Sequence, residues 1–206
     1  MTGDAADPVL DPAAGPGAGL GTDLDADLDA VEAQLGRRPR GVVGVAHRCP
    51  CGRPDVVTTA PQLDDGTPFP TTFYLTCPRA AAAIGTLEAS GTMRAMTERL
   101  RGDPELAAAH RRAHEDYLRR REALGDVPRI RGISAGGMPD RVKCLHVLVG
   151  HALAAGPGVN PLGDEALATL PPWWADGPCV PERPEDPEPP EDPGRPELLP
   201  RPVPPD

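Results

Sequence analysis

The sequence has few of the features that mark several common classes of protein. Aromatic side chains are only 3% of its 206 residues, and its five cysteines are too few for a disulfide scaffold. It contains no run of 18 apolar residues and no internal repeat, which argues against a transmembrane helix and a repeat architecture. The acidic N-terminus lacks a basic segment followed by an apolar one, so we expect no secretory signal. These absences favour a soluble, cytoplasmic protein.

Acidic residues are concentrated at the two ends of the chain. Residues 1–30 carry a net charge of −7 and residues 176–206 carry −6, so the middle is about +3 although the whole chain is −10. Fourteen prolines lie in residues 171–206. The composition predicts disordered tails at residues 1–21 and 176–206 around a domain at residues 22–175. The small positive charge of the middle is far below that of a nucleic-acid-binding surface, so we expect no such partner.

Hydrophobic patterning predicts three strands, which come early in the chain, and six helices, most of which follow them. The strands are predicted at residues 41–47, 55–60 and 71–76, and the helices at 22–35, 78–89, 92–100, 104–124, 140–154 and 164–170. Clustered strands followed by helices predict an α+β fold, in which a small antiparallel β-sheet packs against several α-helices.

Four cysteines lie at or near the ends of predicted elements, where a metal site is readily built. Cys49 and Cys51 lie in the turn after the first strand, Cys77 directly precedes a helix, and Cys144 lies in a later helix. Thiolates bind zinc or iron–sulfur clusters, and both take four ligands. The sequence therefore predicts a zinc or iron–sulfur site at these four cysteines. Cys179 is excluded from the set because it falls in the predicted C-terminal tail.

Two histidines after Cys144 are alternative fourth ligands. In a regular helix His146 points away from Cys144, whereas His151 lies on the same face but about 10.5 Å along the axis. One ion therefore takes a single ligand from this helix, unless the helix begins late or bends. Two other interpretations remain open: the cysteines are buried apolar side chains, or Cys77, at a helix N-terminus, is a reactive thiol.

A glycine-rich loop with basic neighbours precedes the helix that contains Cys144. Gly136 and Gly137 lie in this loop, Arg131 comes before them, and Arg141 and Lys143 follow. Because free N–H groups at a helix N-terminus attract anions, these residues predict an anion-binding site. The loop has no Walker pattern, and the alternative is an ordinary glycine loop with solvated charges.

Several short motifs occur in order along the chain, at residues 47–52, 65–70, 74–78, 84–91, 142–146 and 160–161. Together they resemble the bacterial family DUF501, a domain of unknown function, over residues 32–175. The resemblance implies no established activity. It implies a pattern shared around Cys49, Cys77, Cys144, His146 and His151. It also implies that the gene of an actinobacterial member lies beside those of a septum-formation initiator and an exopolyphosphatase.

Three functions are consistent with these features. The first, which we favour, is a metal-stabilised binding module with zinc or an iron–sulfur cluster. The second is an enzyme acting on a phosphorylated or otherwise anionic small molecule, which the glycine-rich loop and its basic residues would hold. Cys77 or His146 would then act as an acid, a base or a nucleophile. The third is a metal-free interaction protein linked to cell division or envelope growth, which the resemblance suggests.

Overall fold

The computed structural model describes residues 24–180, which form three strands and six α-helices. The strands are β1 (Val42–Arg48), β2 (Pro54–Thr59) and β3 (Phe73–Leu75), and the helices are α1 (Leu24–Leu35), α2 (Pro78–Ala89), α3 (Thr92–Gly102), α4 (Pro104–Glu122), α5 (Leu145–Ala155) and α6 (Pro161–Thr169). The predicted α+β class is confirmed. The tails predicted at residues 1–21 and 176–206 lie outside the described residues, except for residues 176–180.

The sheet is antiparallel with the strand order β1-β2-β3. Its central strand is the most buried, and Val56 and Val57 are almost completely enclosed. Helix α4 fixes the start of β3, because the backbone N–H of Thr72 donates a hydrogen bond of 2.7 Å to the Tyr117 hydroxyl. That hydroxyl in turn donates to the Pro70 carbonyl at 3.2 Å. These hydrogen bonds therefore fix the last strand of the sheet, in addition to the helices that pack on the face of the sheet.

Helix α5 lies in the core, between the sheet and α6, with Leu145, Leu148 and Val149 fully buried. Helix α6 approaches α5 closely at Gly163, where a Cβ atom would lie 2.3 Å from the Leu148 carbonyl oxygen. Only glycine permits this contact. Although it is buried, α5 has only 11 residues, and no helix among the described residues is long and apolar enough to cross a membrane.

Helix α5 begins at Leu145, five residues later than predicted. The preceding backbone is instead held in a turn by hydrogen bonds to other segments. The N–H of Val142 donates to Thr97 Oγ1 at 3.0 Å, and the N–H of Lys143 donates to the Gly136 carbonyl at 2.7 Å. Cys144 is the N-cap residue and has extended backbone angles. This late start decides which side chains near Cys144 come together.

Candidate metal centre

Four cysteine thiols converge where the β1–β2 turn meets the N-terminus of α2. The Sγ atom of Cys179 lies 3.0 Å from that of Cys77, 3.4 Å from that of Cys51 and 3.5 Å from that of Cys49. The Sγ atoms of Cys49, Cys51 and Cys179 all lie within 4.8 Å of one another. All five cysteines of the chain are described, and all are free thiols. These four, named the four-thiol cluster, include a group that could hold a metal ion.

The β1–β2 turn places the first two thiols of the cluster. The N–H of Gly52 donates to the Cys49 carbonyl at 2.8 Å, and the N–H of Cys49 donates to the Arg53 carbonyl at 2.9 Å. Gly52 adopts a left-handed conformation, with φ of +85°, which closes the turn with little strain. The turn presents Cys49 and Cys51 to the same point, which is the arrangement of a metal-binding knuckle.

Cys77 and Cys179 reach the cluster from two other segments. Cys77 is the N-cap residue of α2, and its Sγ accepts a hydrogen bond of 3.5 Å from the N–H of Ala80. Cys179 follows the last helix on irregular chain, which Arg79 anchors by donating a 2.9 Å hydrogen bond to the Gly177 carbonyl. Trp173 also packs against the cluster. The cluster therefore joins the sheet, α2 and the segment after α6.

Burial and hydrogen bonding shift the thiol pKa values in different directions. Burial raises the pKa of Cys49 and, more strongly, that of Cys179, whose neighbours Cys77 and Cys51 raise it further. Burial also opposes ionisation of Cys51, but backbone hydrogen bonds involving Arg53 and Cys179 outweigh it and lower that pKa. Four thiolates together would be unstable in so buried a place. A bound divalent cation would reverse this, because a coordinating thiol is deprotonated outright.

Cys144 lies away from the four-thiol cluster and belongs to a second group. Its Sγ is 3.9 Å from His146 Nδ1, and that nitrogen is 3.2 Å from Glu88 Oε1 at the end of α2. The same carboxylate oxygen accepts a 2.6 Å hydrogen bond from the N–H of Leu145. The Cys144 thiol and then Glu88 raise the pKa of His146 to about 9, although burial opposes this. These residues are named the Glu88–Cys144–His146 group.

The structure therefore brings Cys49, Cys51 and Cys77 together as predicted, and it places Cys179 rather than Cys144 beside them. Cys179 occupies the position expected for Cys144, because the segment after α6 folds back against the sheet. Sequence reasoning excluded Cys179 for its proline-rich surroundings. One signal could have included it: Trp173 and Trp174 precede it by five or six residues, and an adjacent tryptophan pair indicates an anchored segment. Their rings pack edge to face with centroids 4.7 Å apart.

His151, the other alternative ligand, lies in the core. Its Nε2 is 2.9 Å from Asp116 Oδ2, and its ring stacks on Phe73 and meets the edge of Tyr117. Asn160 Nδ2 lies 3.3 Å from the other ring nitrogen. Burial lowers the pKa of His151 against the opposing pull of Asp116. These partners satisfy both ring nitrogens and leave His151 a structural role.

The glycine-rich loop forms a tight turn that uses its own backbone groups. Gly136 and Gly137 both have positive φ angles, of 72° and 94°. A Cβ atom on Gly137 would lie 2.8 Å from the Arg141 carbonyl oxygen, so the turn requires glycine there. The Lys143 N–H is taken by the Gly136 carbonyl, while the side chains of Arg141 and Lys143 are exposed. The backbone conformation of the turn therefore explains the two glycines without any bound ligand.

The remaining parts of the predicted anion site are engaged elsewhere. Arg131 forms an exposed ion pair with Asp126. The helix N-terminus that was expected to attract an anion begins at Leu145, and its N–H already binds the Glu88 carboxylate. A carboxylate of the protein therefore already binds one N–H of the helix N-terminus at which an anion was predicted.

Comparison with known proteins identifies the family but no function. A sequence model of the family described as "Protein of unknown function (DUF501)" matches residues 45–168, so the chain belongs to this family. No curated protein sequence and no solved structure matches the chain. The matched range includes Cys49, Cys51, Cys77 and the whole Glu88–Cys144–His146 group, but it ends before Cys179.

Proposed function

We propose that this protein is a metal-stabilised binding module in which the four-thiol cluster holds one zinc ion. The observation that carries the proposal is the convergence of Cys49, Cys51, Cys77 and Cys179 from three separate segments of the chain. Four protein ligands would complete the coordination of zinc and leave no open position, which is typical of structural rather than catalytic sites.

The spacing of the sulfur atoms favours a single ion over an iron–sulfur cluster. Zn–S bonds of about 2.3 Å in a tetrahedron place the sulfur atoms about 3.8 Å apart. The observed separations from Cys179 are 3.0–3.5 Å, and the sulfur atoms of Cys49, Cys51 and Cys179 lie within 4.8 Å of one another. Cys77, which is outside that group, would have to draw closer to bind the same ion. An iron–sulfur cluster spreads its cysteine ligands over two or four iron atoms and needs wider spacing.

The ion would contribute stability that the core lacks. Few aromatic side chains are available to this chain, and the sheet has only three strands. Zinc bound to the β1–β2 turn, α2 and the segment after α6 would hold these parts together, so that binding free energy becomes folding free energy. An enzyme built on the glycine-rich loop has less support, because the Gly136 carbonyl already binds the Lys143 N–H and the Glu88 carboxylate already binds the first N–H of α5.

The test is metal content, measured by mass spectrometry with an absorption spectrum on untagged protein purified without oxygen. After dialysis against a weak chelator we expect about one zinc per chain and no colour. Cys179→Ser should lose this zinc, whereas the matched variant Cys144→Ser should keep it. A strong chelator should unfold the wild-type protein.

Two results would contradict the proposal. Iron with sulfide and a brown absorbance would assign the cysteines to a cluster instead. A colourless chain with under about 0.1 metal per molecule, stable to chelators, would favour the metal-free interaction protein.

A further inference from the structure

The Glu88–Cys144–His146 group brings three different ligand types to one point outside the four-thiol cluster. Glu88 comes from the C-terminal end of α2, Cys144 is the N-cap residue of α5, and His146 lies in the first turn of α5. Their ligand atoms, one sulfur, one nitrogen and one oxygen, all lie within 4.8 Å of one another. We propose that these three residues form a second metal site, which binds zinc with three protein ligands and an open fourth position.

The hydrogen bond on the far side of the imidazole ring orients His146 for this role. Its Nε2 lies 3.1 Å from the Ala81 carbonyl oxygen, which can only accept a hydrogen bond. The Nε2 atom is therefore protonated, so a metal that displaces the second proton would bind the lone pair on Nδ1, which faces Glu88 and Cys144. Metal-binding histidines typically donate their other N–H to a carbonyl or carboxylate in this way.

Two of the three separations between the ligand atoms are close to those that a tetrahedral zinc ion requires. Bond lengths of about 2.0–2.1 Å to nitrogen and oxygen and 2.3 Å to sulfur give N···O and S···N distances of about 3.3 and 3.6 Å. The corresponding distances are 3.2 Å between His146 Nδ1 and Glu88 Oε1 and 3.9 Å between His146 Nδ1 and Cys144 Sγ. Small side-chain adjustments would complete the geometry.

The site remains open to solvent on one side. The side chains of His146 and Glu88 are 32% and 22% exposed, unlike the fully buried Cys77. Glu88 also lines a surface pocket of about 470 Å³, together with Arg94 and Arg101. Three protein ligands with a free fourth position are the arrangement of catalytic zinc sites, where water or a ligand completes the coordination. Here the fourth ligand would be water or an anionic group from solvent.

Zinc stoichiometry and protection of Cys144 together test this proposal. Wild-type protein loaded with excess zinc and desalted should carry two zinc ions per chain, whereas His146→Gln and Glu88→Gln should each carry one. Glu88→Gln keeps an acceptor for the Leu145 N–H, so α5 should remain intact. Zinc should also slow alkylation of Cys144 at least tenfold in the wild type, followed by peptide mass spectrometry, and not in His146→Gln.

His114→Gln is the matched control, because His114 Nδ1 lies 2.9 Å from Ser134 Oγ, outside both groups. It should keep two zinc ions and full protection of Cys144. Alkylation of Cys144 that is unchanged by zinc, with equal zinc content in wild type and His146→Gln, would overturn the proposal. If the four-thiol cluster is metal-free, the wild type would carry one zinc that His146→Gln removes. That result contradicts the proposed function and supports this inference.

Discussion

Helix α2 carries a ligand of each candidate site, and its two ends differ in chemistry. Cys77 at the N-terminus joins three other thiols in a buried cluster, whereas Glu88 near the C-terminus meets one thiol and one imidazole in a partly exposed position. The two residues are 11 positions apart in the sequence, which corresponds to about 16 Å of helix. Under our two proposals, burial and ligand type separate two roles: four thiols, three of them buried, favour a closed, stabilising ion, and three mixed ligands near solvent favour an open one.

The largest expected difference between the two sites is in folding stability. Cys179→Ser should lower the free energy of unfolding by at least about 3 kcal/mol, because it removes a ligand from an ion whose binding is coupled to folding. Cys144→Ser should lower it by less than about 1 kcal/mol, because its site joins only two neighbouring helices. Urea unfolding of the zinc-bound proteins measures both. Equal losses would mean that the four-thiol cluster has no special structural role.

A smaller effect separates the helix-capping role of Glu88 from its charge. Glu88→Ala should lower the free energy of unfolding by about 1–2 kcal/mol, because the Leu145 N–H loses its acceptor at the start of α5. Glu88→Gln should stay within about 0.5 kcal/mol of wild type, because the amide oxygen can still accept that bond. Thermal unfolding of protein that carries one zinc ion per chain after dialysis against a weak chelator provides the measurement. Similar losses in both variants would assign the effect to charge instead.

The pH dependence of folding stability tests the core separately from the two candidate metal sites. His110 is fully buried, and neither ring nitrogen has a hydrogen-bond partner among the described residues. Burial lowers its pKa against a weaker opposing effect of the Arg141 backbone. Below about pH 6.5 the unfolded chain therefore binds a proton at His110 that the folded chain does not bind. This difference in proton binding destabilises the fold as pH falls below 6.5, and it disappears above that pH.

His110→Leu should remove this part of the acid sensitivity. Between pH 6.5 and 5 the variant should lose about 1 kcal/mol less stability per pH unit than the wild type, with zinc content measured in parallel. Unfolding at several pH values makes the comparison. The same slope in both proteins would place the acid sensitivity in the metal ligands or in His151.

The smallest effect is expected at the glycine-rich loop. Lys143→Ala should change the free energy of unfolding by less than about 0.5 kcal/mol, because the side chain is exposed and its backbone makes the contact that matters. It should leave the zinc content unchanged. Added inorganic phosphate should stabilise wild type and variant equally in thermal unfolding. A phosphate-dependent rise in unfolding temperature that occurs only in the wild type would instead support the predicted anion site.

The fold was predictable where local signals act alone. Asp103 precedes the proline that begins the helix predicted at residues 104–124, and its carboxylate accepts hydrogen bonds from the N–H groups of Glu105 and Leu106. The start of α5 was not predictable in this way, because the side chain of Thr97, on another helix, holds the backbone of Val142 in a loop. Helical periodicity reports which residues suit a helix, not which backbone groups tertiary contacts have already taken.

The candidate sites were likewise predictable only where the signals in the sequence are local. The turn residues Cys49 and Cys51 and the helix-capping Cys77 follow from sequence, because turns and caps leave a local pattern. Cys179 depends on a segment without regular structure folding back onto the sheet, and the surrounding prolines obscured this. The contact between Cys144 and His146 depends on the late start of α5, which sequence reasoning named as a condition but could not decide.

The distance of Cys179 along the chain from the other thiols bears on the order of folding. Cys77 and Cys179 are 102 residues apart, whereas Cys51 and Cys77 are separated by about a quarter of that length. Each doubling of loop length adds about 0.6 kcal/mol to the entropic cost of closing the loop. The loop between Cys77 and Cys179 is therefore harder to close than the loop between Cys51 and Cys77. Three thiols can gather around an ion early, with Cys179 docking last. Completion of the metal site and completion of the native topology would then be the same kinetic event.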